Sequence, residues 1–483
     1  MGQKQEIGYQ LHLDFSSESE PIRHLKRSEA VSQTEYRKAL QSKVAGEQER
    51  ALTEYLMEVV CSHDNIRRAY KQVKQNKGVA GVDQMRVWDF SRWYVKEGAN
   101  LLRQLQEGSY QPQAVKLVEI LKQGGGKRKL GIPTVTDRII QQAISQVLSP
   151  IYEQKFSEHS YGFRPGRNAQ KALTKASGYV GEAREIVVDI DIKTFFDEVN
   201  HDRLMYRLSE TIGDKILLKL IRKYLQSGIM IDGVLSQRTE GTPQGSPLSP
   251  LLSNIVLDEL DTELERRGHK FVRYADDCNI FVCSQEAGGR VMQSVSNFIE
   301  SKLKLRVNQD KSKVCQSHQT NFLGYTVQTD GVLTIAEKSV ERLKEKVRKI
   351  TKRNRGRSFS QVIADLSPVL RGWLNYFRQG YSYKILQRLD GWIRRKLRCY
   401  RLKQCKNTIS MQRFLHSLGV KKWQSWILAL SGKGVWRKSN SPQAHEAMNK
   451  SWFEEQGLYI LTLNYLKLNN LKKPPCARAC TVV

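Results

Sequence analysis

The run Phe271-Val272-Arg273-Tyr274-Ala275-Asp276-Asp277-Cys278-Asn279-Ile280-Phe281-Val282 sets two adjacent carboxylates between apolar, β-prone flanks. The pattern predicts strand, tight turn, strand, with the acids at the turn. Carboxylate oxygens suit hard divalent cations such as Mg2+ or Mn2+. A pair of such ions can stabilise both the attacking and the leaving oxygen of a nucleotidyl transfer. An acid pair at a turn is also ordinary solvated turn chemistry, so its meaning depends on the rest of the chain.

Acids recur 85 residues upstream of Asp276, in Glu185-Ile186-Val187-Val188-Asp189-Ile190-Asp191-Ile192-Lys193-Thr194-Phe195-Phe196-Asp197. The β-branched run predicts a buried strand with Asp191 near its C-terminal end, where ligand crevices open. Between the clusters, Gly241-Thr242-Pro243-Gln244-Gly245-Ser246-Pro247-Leu248-Ser249-Pro250 forms a loop whose bare backbone can approach a nucleotide or base pair. An Asp followed five residues on by an aromatic, then Pro-Gln-Gly with Ser-Pro, then Tyr-Ala-Asp-Asp, resembles the palm of the reverse transcriptases.

The 483 residues are enough for two to four structural units. With 79 Lys+Arg against 49 Asp+Glu, the net charge of +30 favours a polyanionic partner, most simply nucleic acid. A basic ribosome-associated protein or a membrane-surface binder would share the charge but leave the carboxylate motifs without a purpose. The eight cysteines are scattered, several within strands, and read as reduced residues. Cys476 and Cys480 lack the further ligands a zinc site needs. No apolar run reaches membrane-spanning length and the N-terminus has no secretory signal, so the expectation is a cytoplasmic protein, associated with nucleoid or ribonucleoprotein, with no membrane partner.

Residues 1–50 are polar and aperiodic and read as a flexible extension. Residues 47–75 show helical spacing through Leu52, Leu56, Val59, Val60, Ile66, Tyr70 and Val73. A glycine-hinged loop follows at residues 76–83. Residues 118–133 alternate into a three-glycine turn and leave it through Lys127, Arg128 and Lys129, a cationic hairpin suited to gripping a triphosphate or template phosphates. Asp137 and Arg138 read as a helix cap and a surface charge. The loop Ser160-Tyr161-Gly162-Phe163-Arg164-Pro165-Gly166-Arg167 combines aromatic and guanidinium groups, either to contact a single strand or to brace the fold. Residues 307–313 bring Lys311 beside the acids. Residues 321–332 read as a hairpin that either presents Gly324 to a primer or is purely structural.

Between residues 338 and 407 there are 21 Lys+Arg against 4 Asp+Glu. Apolar residues fall there at helical spacing in three blocks, predicting three amphipathic helices with basic outer faces along nucleic acid. Leu370-Arg371-Gly372-Trp373-Leu374-Asn375-Tyr376-Phe377 and Leu389-Asp390-Gly391-Trp392-Ile393-Arg394-Arg395-Lys396-Leu397 resemble the thumb, or maturase domain, of group II intron-encoded reverse transcriptases. Lys433-Gly434-Val435-Trp436-Arg437 with Ser441-Pro442 resembles the DNA-binding segment of the same family, closest to its compact group IIC members. The resemblance runs from about residue 52 to residue 466.

It implies an α+β right-hand polymerase, its palm a ferredoxin-like antiparallel sheet with helices, followed by an α-helical thumb. The expected boundaries are fingers 51–184, palm 185–335, thumb 336–410 and a DNA-binding segment and tail 411–483. The implied activity is RNA-dependent DNA synthesis by a protein that binds its group II intron RNA, assists splicing and supports retrohoming. Its partners would be an RNA template with DNA primer, a DNA target and dNTPs, and a homodimer is compatible with it.

By the match, Asp191, Asp276 and Asp277 bind two Mg2+ ions, with Mn2+ able to substitute and Ile192 offering only a backbone carbonyl. Lys122, Arg128 and Lys311 attend the triphosphate, and Gln244 and Gly245 line the nascent pair. Phe196 walls off the ribose 2′-hydroxyl, although Asp197 would put an acid there if the register shifted by one. Arg164, Arg167, Gly324, Arg394, Arg395, Lys396, Trp436 and Arg437 contact nucleic acid. An RNA-dependent RNA polymerase would share the acids, a splicing factor with a dead polymerase would be expected to lose one, and a host-adopted enzyme of repair or defence would share everything. The 26 residues after Gly457, with two cysteines and no histidine, are expected to form no metal-dependent nuclease.

Overall fold

The computed structural model describes residues 53–121, 127–231, 234–236, 240–242, 245–354 and 356–471. The expectations for residues 1–50, Lys122, Gln244, Cys476 and Cys480 lie outside them, and Arg128 is described only through its strand. The chain divides into two compact units. One runs to Ala172 and takes in Val188–Val314; the other combines Leu173–Val187 with Cys315 onward.

In the first unit, the described part of the helical stretch before residue 76 is two helices, Leu56–Cys61 and His63–Gln75, separated by Ser62 in extended conformation. Val60, Ile66, Tyr70 and Val73 are buried as expected, but Val59 faces solvent. Strands β1 (Val115–Leu121) and β2 (Lys127–Ile132) pair antiparallel, with Ile120 opposite Arg128. The long helix Val135–Glu153 follows.

Asp137 and Arg138 are corrected here, for both are buried. The Asp137 carboxylate accepts from Tyr110 Oη (2.8 Å), Tyr224 Oη (3.2 Å) and Thr134 Oγ1 (2.8 Å), while Arg138 Nη2 donates to Val79 O (2.7 Å). Gly81 lies so close to Thr134 that a β-carbon would sit 2.7 Å from its Cα, which fixes the glycine loop as a brace on this helix.

The strands β3 (Ile186–Ile190), β4 (Ile229–Ile231), β5 (Val234–Ser236), β6 (Lys270–Tyr274), β7 (Asp277–Val282) and β8 (Lys313–Gln316) complete two four-stranded sheets. One has the order β2-β1-β4-β5 and the other β6-β7-β3-β8. In the second sheet, helices separate β3 from β6 and β7 from β8, and β3 lies inside between β7 and β8. That is the ferredoxin-like βαββαβ plan expected of the palm. Its strands bury Val187, Val188, Ile190, Phe271, Val272, Ile280 and Phe281. The apolar helix Ser249–Arg266 buries one face through Leu252, Leu257, Leu260 and Leu264.

The second unit contains the hairpin of β9 (Tyr325–Val327) and β10 (Leu333–Ile335) and the three expected helices, Glu337–Ile350, Phe359–Phe377 and Tyr383–Gln404. The second begins at a capping box in which Ser358 and Gln361 exchange bonds, which fixes where it starts. Asp390, buried in the third, accepts from Leu461 N (2.9 Å), Thr462 N (2.9 Å) and Thr462 Oγ1 (2.7 Å). It thereby caps the last described helix, Leu461–Leu468, and ties the C-terminal helices to the three basic ones. Among the described residues no helix is long and apolar enough to cross a membrane.

Candidate active site

Strands β6 and β7 pair with Tyr274 opposite Asp277, so the hairpin turns through just Ala275 and Asp276. Ala275 takes the left-handed conformation (φ 58°) that a two-residue hairpin turn demands. Asp276 is thus at the turn and Asp277 begins the outgoing strand. Asp191 follows β3 in the adjacent position of the sheet, half-buried, with its backbone N accepted by Ser312 Oγ (3.0 Å) and its carbonyl taking Asn308 N (2.8 Å). Ile192 is buried and bridges to Val307.

The acids share one neighbourhood, because β7 and β3 are adjacent in the sheet. The Asp277 carboxyl reaches solvent yet is pushed up to about 6, by desolvation first and then by Asp276, Asp189 and Asp191, with Lys311 opposing. Asp189 is likewise pushed up to about 6, by burial first, with Lys313 opposing and Asp191 reinforcing. Lys311 Nζ stands 3.4 Å from Asp191 Oδ2. Asp189 was not among the residues picked out from sequence, although the two-residue strand period puts it on the same face as Asp191.

Among the described residues no three His, Cys, Asp or Glu side chains converge as a ready cage for a metal ion. The acids fit divalent cations by donor chemistry and mutual repulsion, and Mg2+ commonly completes its octahedron with waters and substrate phosphates rather than with protein alone.

Phe196 is half-buried at the start of the short helix Phe195–Glu198, packed edge-on against Phe195. The Gly/Pro loop is stitched to it: Thr242 N donates to Phe196 O (2.6 Å), Gly241 N to Val199 O (2.8 Å), and His201 Nε2 lies 2.7 Å from Gly241 O. Asp197 is the exposed neighbour. Gly245 has φ 109° and would bring a β-carbon within 2.7 Å of Gly131 O, so the loop's close approach is to β2.

The structure bears on three of the nucleic-acid assignments. Arg164 is buried, paired with Glu153 (Nη2 to Oε1, 2.8 Å) and donating to Ser160 O (2.9 Å) and Ser157 O, so it braces the loop from within. Arg167 is mostly covered and pairs with Glu158 (2.7 Å). Gly324 (φ 81°) turns its bare Cα toward Ser339 and Phe377, and its carbonyl accepts from Ser339 Oγ (2.9 Å). The hairpin's close approach is therefore to its own helices.

The C-terminal cluster keeps its cations but in a different arrangement. The Trp436 ring is occupied by Arg395 (4.1 Å) and Lys396 (4.9 Å), so the indole holds cations instead of offering a bare stacking face. Thr351, Arg353, Lys396, Cys399 and Trp436 line a cavity of about 250 Å3 beside them. Burial, and then Arg348 and Arg353, lower the Lys396 pKa, with Cys399 opposing. Arg394 is half-buried on the same helix, and Arg437 is exposed.

Residues 120–327 match the family Reverse transcriptase (RNA-dependent DNA polymerase), and residues 340–419 match the group II intron maturase-specific domain. Over 327 residues the chain is 31% identical to the group II intron-encoded protein LtrA of Lactococcus lactis subsp. cremoris, covering 54% of each chain. Over 249 residues it is 32% identical to protein YkfC of Escherichia coli (strain K12), covering 44% of this chain and 65% of that one. The chain thus spans about half the length of the first of these relatives. Among solved structures, a partial Cas6-RT-Cas1--Cas2 complex is 29% identical over 51% of this chain and 42% of that one, with a TM-score of 0.34.

Proposed function

The chain carries a reverse transcriptase domain and a group II intron maturase-specific domain in series and is homologous to group II intron-encoded proteins, and on that premise we propose that it copies RNA into DNA, binds its intron RNA, assists splicing and supports retrohoming by target-primed synthesis. The observation that carries this reading is the hairpin turn with Asp276 and Asp277 set against Asp189 and Asp191 in one sheet, followed by the basic maturase helices.

In this reading Asp191, Asp276 and Asp277, with the Ile192 carbonyl, would hold two Mg2+ ions. When bound, these would neutralise triphosphate charge and polarise the reacting oxygens. Lys311, 3.4 Å from Asp191 Oδ2, would balance that acid before substrate arrives and the triphosphate afterwards. The Phe196 ring, fixed by its bonded backbone, selects against a ribose 2′-hydroxyl, which favours dNTPs over the NTPs of an RNA-copying RNA polymerase. The cations held on Trp436 contact the backbone of intron RNA or target DNA. A nucleoid- or ribonucleoprotein-associated location fits these partners.

Primer extension on an RNA template, with dNTPs against NTPs and with and without Mg2+, tests the reading. DNA synthesis that needs the metal is expected. Synthesis from NTPs alone would move the chain to another polymerase class.

A further inference from the structure

Arg273 lies fully buried at the end of β6, two residues before the turn. Its guanidinium is engaged on every side. Nε donates to Asp261 Oδ1 (2.7 Å) and Nη2 to Asp261 Oδ2 (2.5 Å), a two-pronged pair, while Nη1 donates to Asn254 Oδ1 (3.0 Å) and to Ala275 O (2.9 Å). Asn254 and Asp261 are seven residues apart on the buried face of the helix Ser249–Arg266, which anchors the fork.

The carbonyl that Arg273 holds belongs to the left-handed Ala275, immediately before Asp276. A second support reaches the same turn. Asn254 Nδ2 donates to Gly162 O (2.9 Å), Tyr161 N to Arg273 O (2.9 Å) and Arg273 N to His159 O (2.9 Å). A β-carbon on Gly162 would collide with Ala275 N and come within 3.0 Å of Ala275 Cα. The turn is therefore held by a charged fork and by bare backbone of the 160–167 loop.

A buried ion pair is a poor way to gain stability, since apolar residues of similar volume commonly do as well or better. What they cannot do is fix a backbone carbonyl. We infer that Arg273 is a positioning residue: through Ala275 O, with Asp261 and Asn254 orienting the guanidinium and Gly162 backing the turn, it sets where Asp276 and Asp277 present their carboxylates. This rests on the polymerase reading of that turn.

Two variants test it independently. Arg273→Lys keeps the charge but cannot serve Asp261 in two prongs while also holding Asn254 and Ala275 O. Gly162→Ala leaves the ion pair intact and displaces the turn directly. For each, the folded fraction, the affinity for primed template, Mn2+ binding by electron paramagnetic resonance with that template bound, and kcat and KM for extension are measured. The expected result is a folded protein that binds primed template as wild type does, with Mn2+ affinity lowered roughly tenfold, the scale of hydrogen bonds to a charged group, and kcat lowered more than KM is raised. Wild-type Mn2+ affinity in both variants, or activity lost only in proportion to the folded fraction, overturns the inference. A wild-type protein that extends no primer sinks the polymerase reading instead, and the Mn2+ comparison still decides the role of Arg273.

Discussion

Lys311 holds its ammonium 3.4 Å from Asp191 Oδ2, so a monovalent cation already stands against one of the acids that a divalent ion would use. The lysine is largely exposed, and an exposed pair of this kind contributes only about 0–1 kcal/mol to stability. Its value lies in where the charge stands. Lys311→Ala is expected to melt close to wild type and to bind primed template normally, while KM for dNTPs rises. Steady-state extension alongside a thermal melt checks this, and an unchanged KM would remove Lys311 from the nucleotide site.

The acid cluster makes a prediction about pH that needs no substrate. The folded state raises Asp277 from its ordinary carboxylate range to about 6, so it favours the neutral form. Stability from this group is therefore fully present below the unfolded value and is lost as pH rises through about 6. Asp277→Asn should melt above wild type at pH 7.5 in chelator, with the gap closing as the pH falls below about 6 and vanishing once the unfolded carboxyl is protonated too. Adding Mg2+ at pH 7.5 should stabilise wild type more than the variant. Melting curves across that range, with and without metal, decide it.

Phe196 is anchored by its packing on Phe195 and by the bond from Thr242 to its carbonyl, so truncating the ring should open space without moving the backbone. Phe196→Ala is expected to admit ribonucleotides, losing discrimination worth about 1–3 kcal/mol, the scale of steric differences in such pockets. Competition between dNTPs and NTPs measures it. If NTP use does not change, the wall lies elsewhere, with the exposed Asp197 the first alternative.

At the other end of the chain, Trp436 and Arg395 should fail in different ways. Arg395→Ala removes a charge that the proposed RNA contact would use and should lower the salt slope of RNA binding by about one. Trp436→Ala removes only the ring that holds Arg395 and Lys396, so affinity should drop by an amount on the order of 0.5–2 kcal/mol, with the slope kept. Filter binding over a salt series separates the two.

The acidic hairpin, the β-branched strand before Asp191 and the three basic helices could be read from sequence because each is a local pattern of period or turn chemistry. Buried polar partnerships could not. Arg273 sits between Val272 and Tyr274 like any strand residue, and its partners Asn254 and Asp261 are on a helix whose packing is tertiary information. Arg164, read as a ligand for phosphate, is satisfied by Glu153 and loop carbonyls for the same reason. Asp137 and Arg138 read as a cap and a surface charge because the tyrosines and the glycine loop that cover them lie far off in sequence. Asp189 was visible in the alternation beside Asp191, and only its raised carboxyl marks it as part of the same charged cluster.

In the proposed function the turn after β6 is a metal-dependent catalytic centre for copying RNA. Asp276→Asn tests it most directly, because the amide preserves size and removes the negative charge that a divalent ion requires. Wild type and variant are compared for dNTP extension on primed RNA and for affinity toward the same duplex. The variant is expected to bind with wild-type affinity and extend nothing, whereas undiminished extension would remove Asp276 from the catalytic centre.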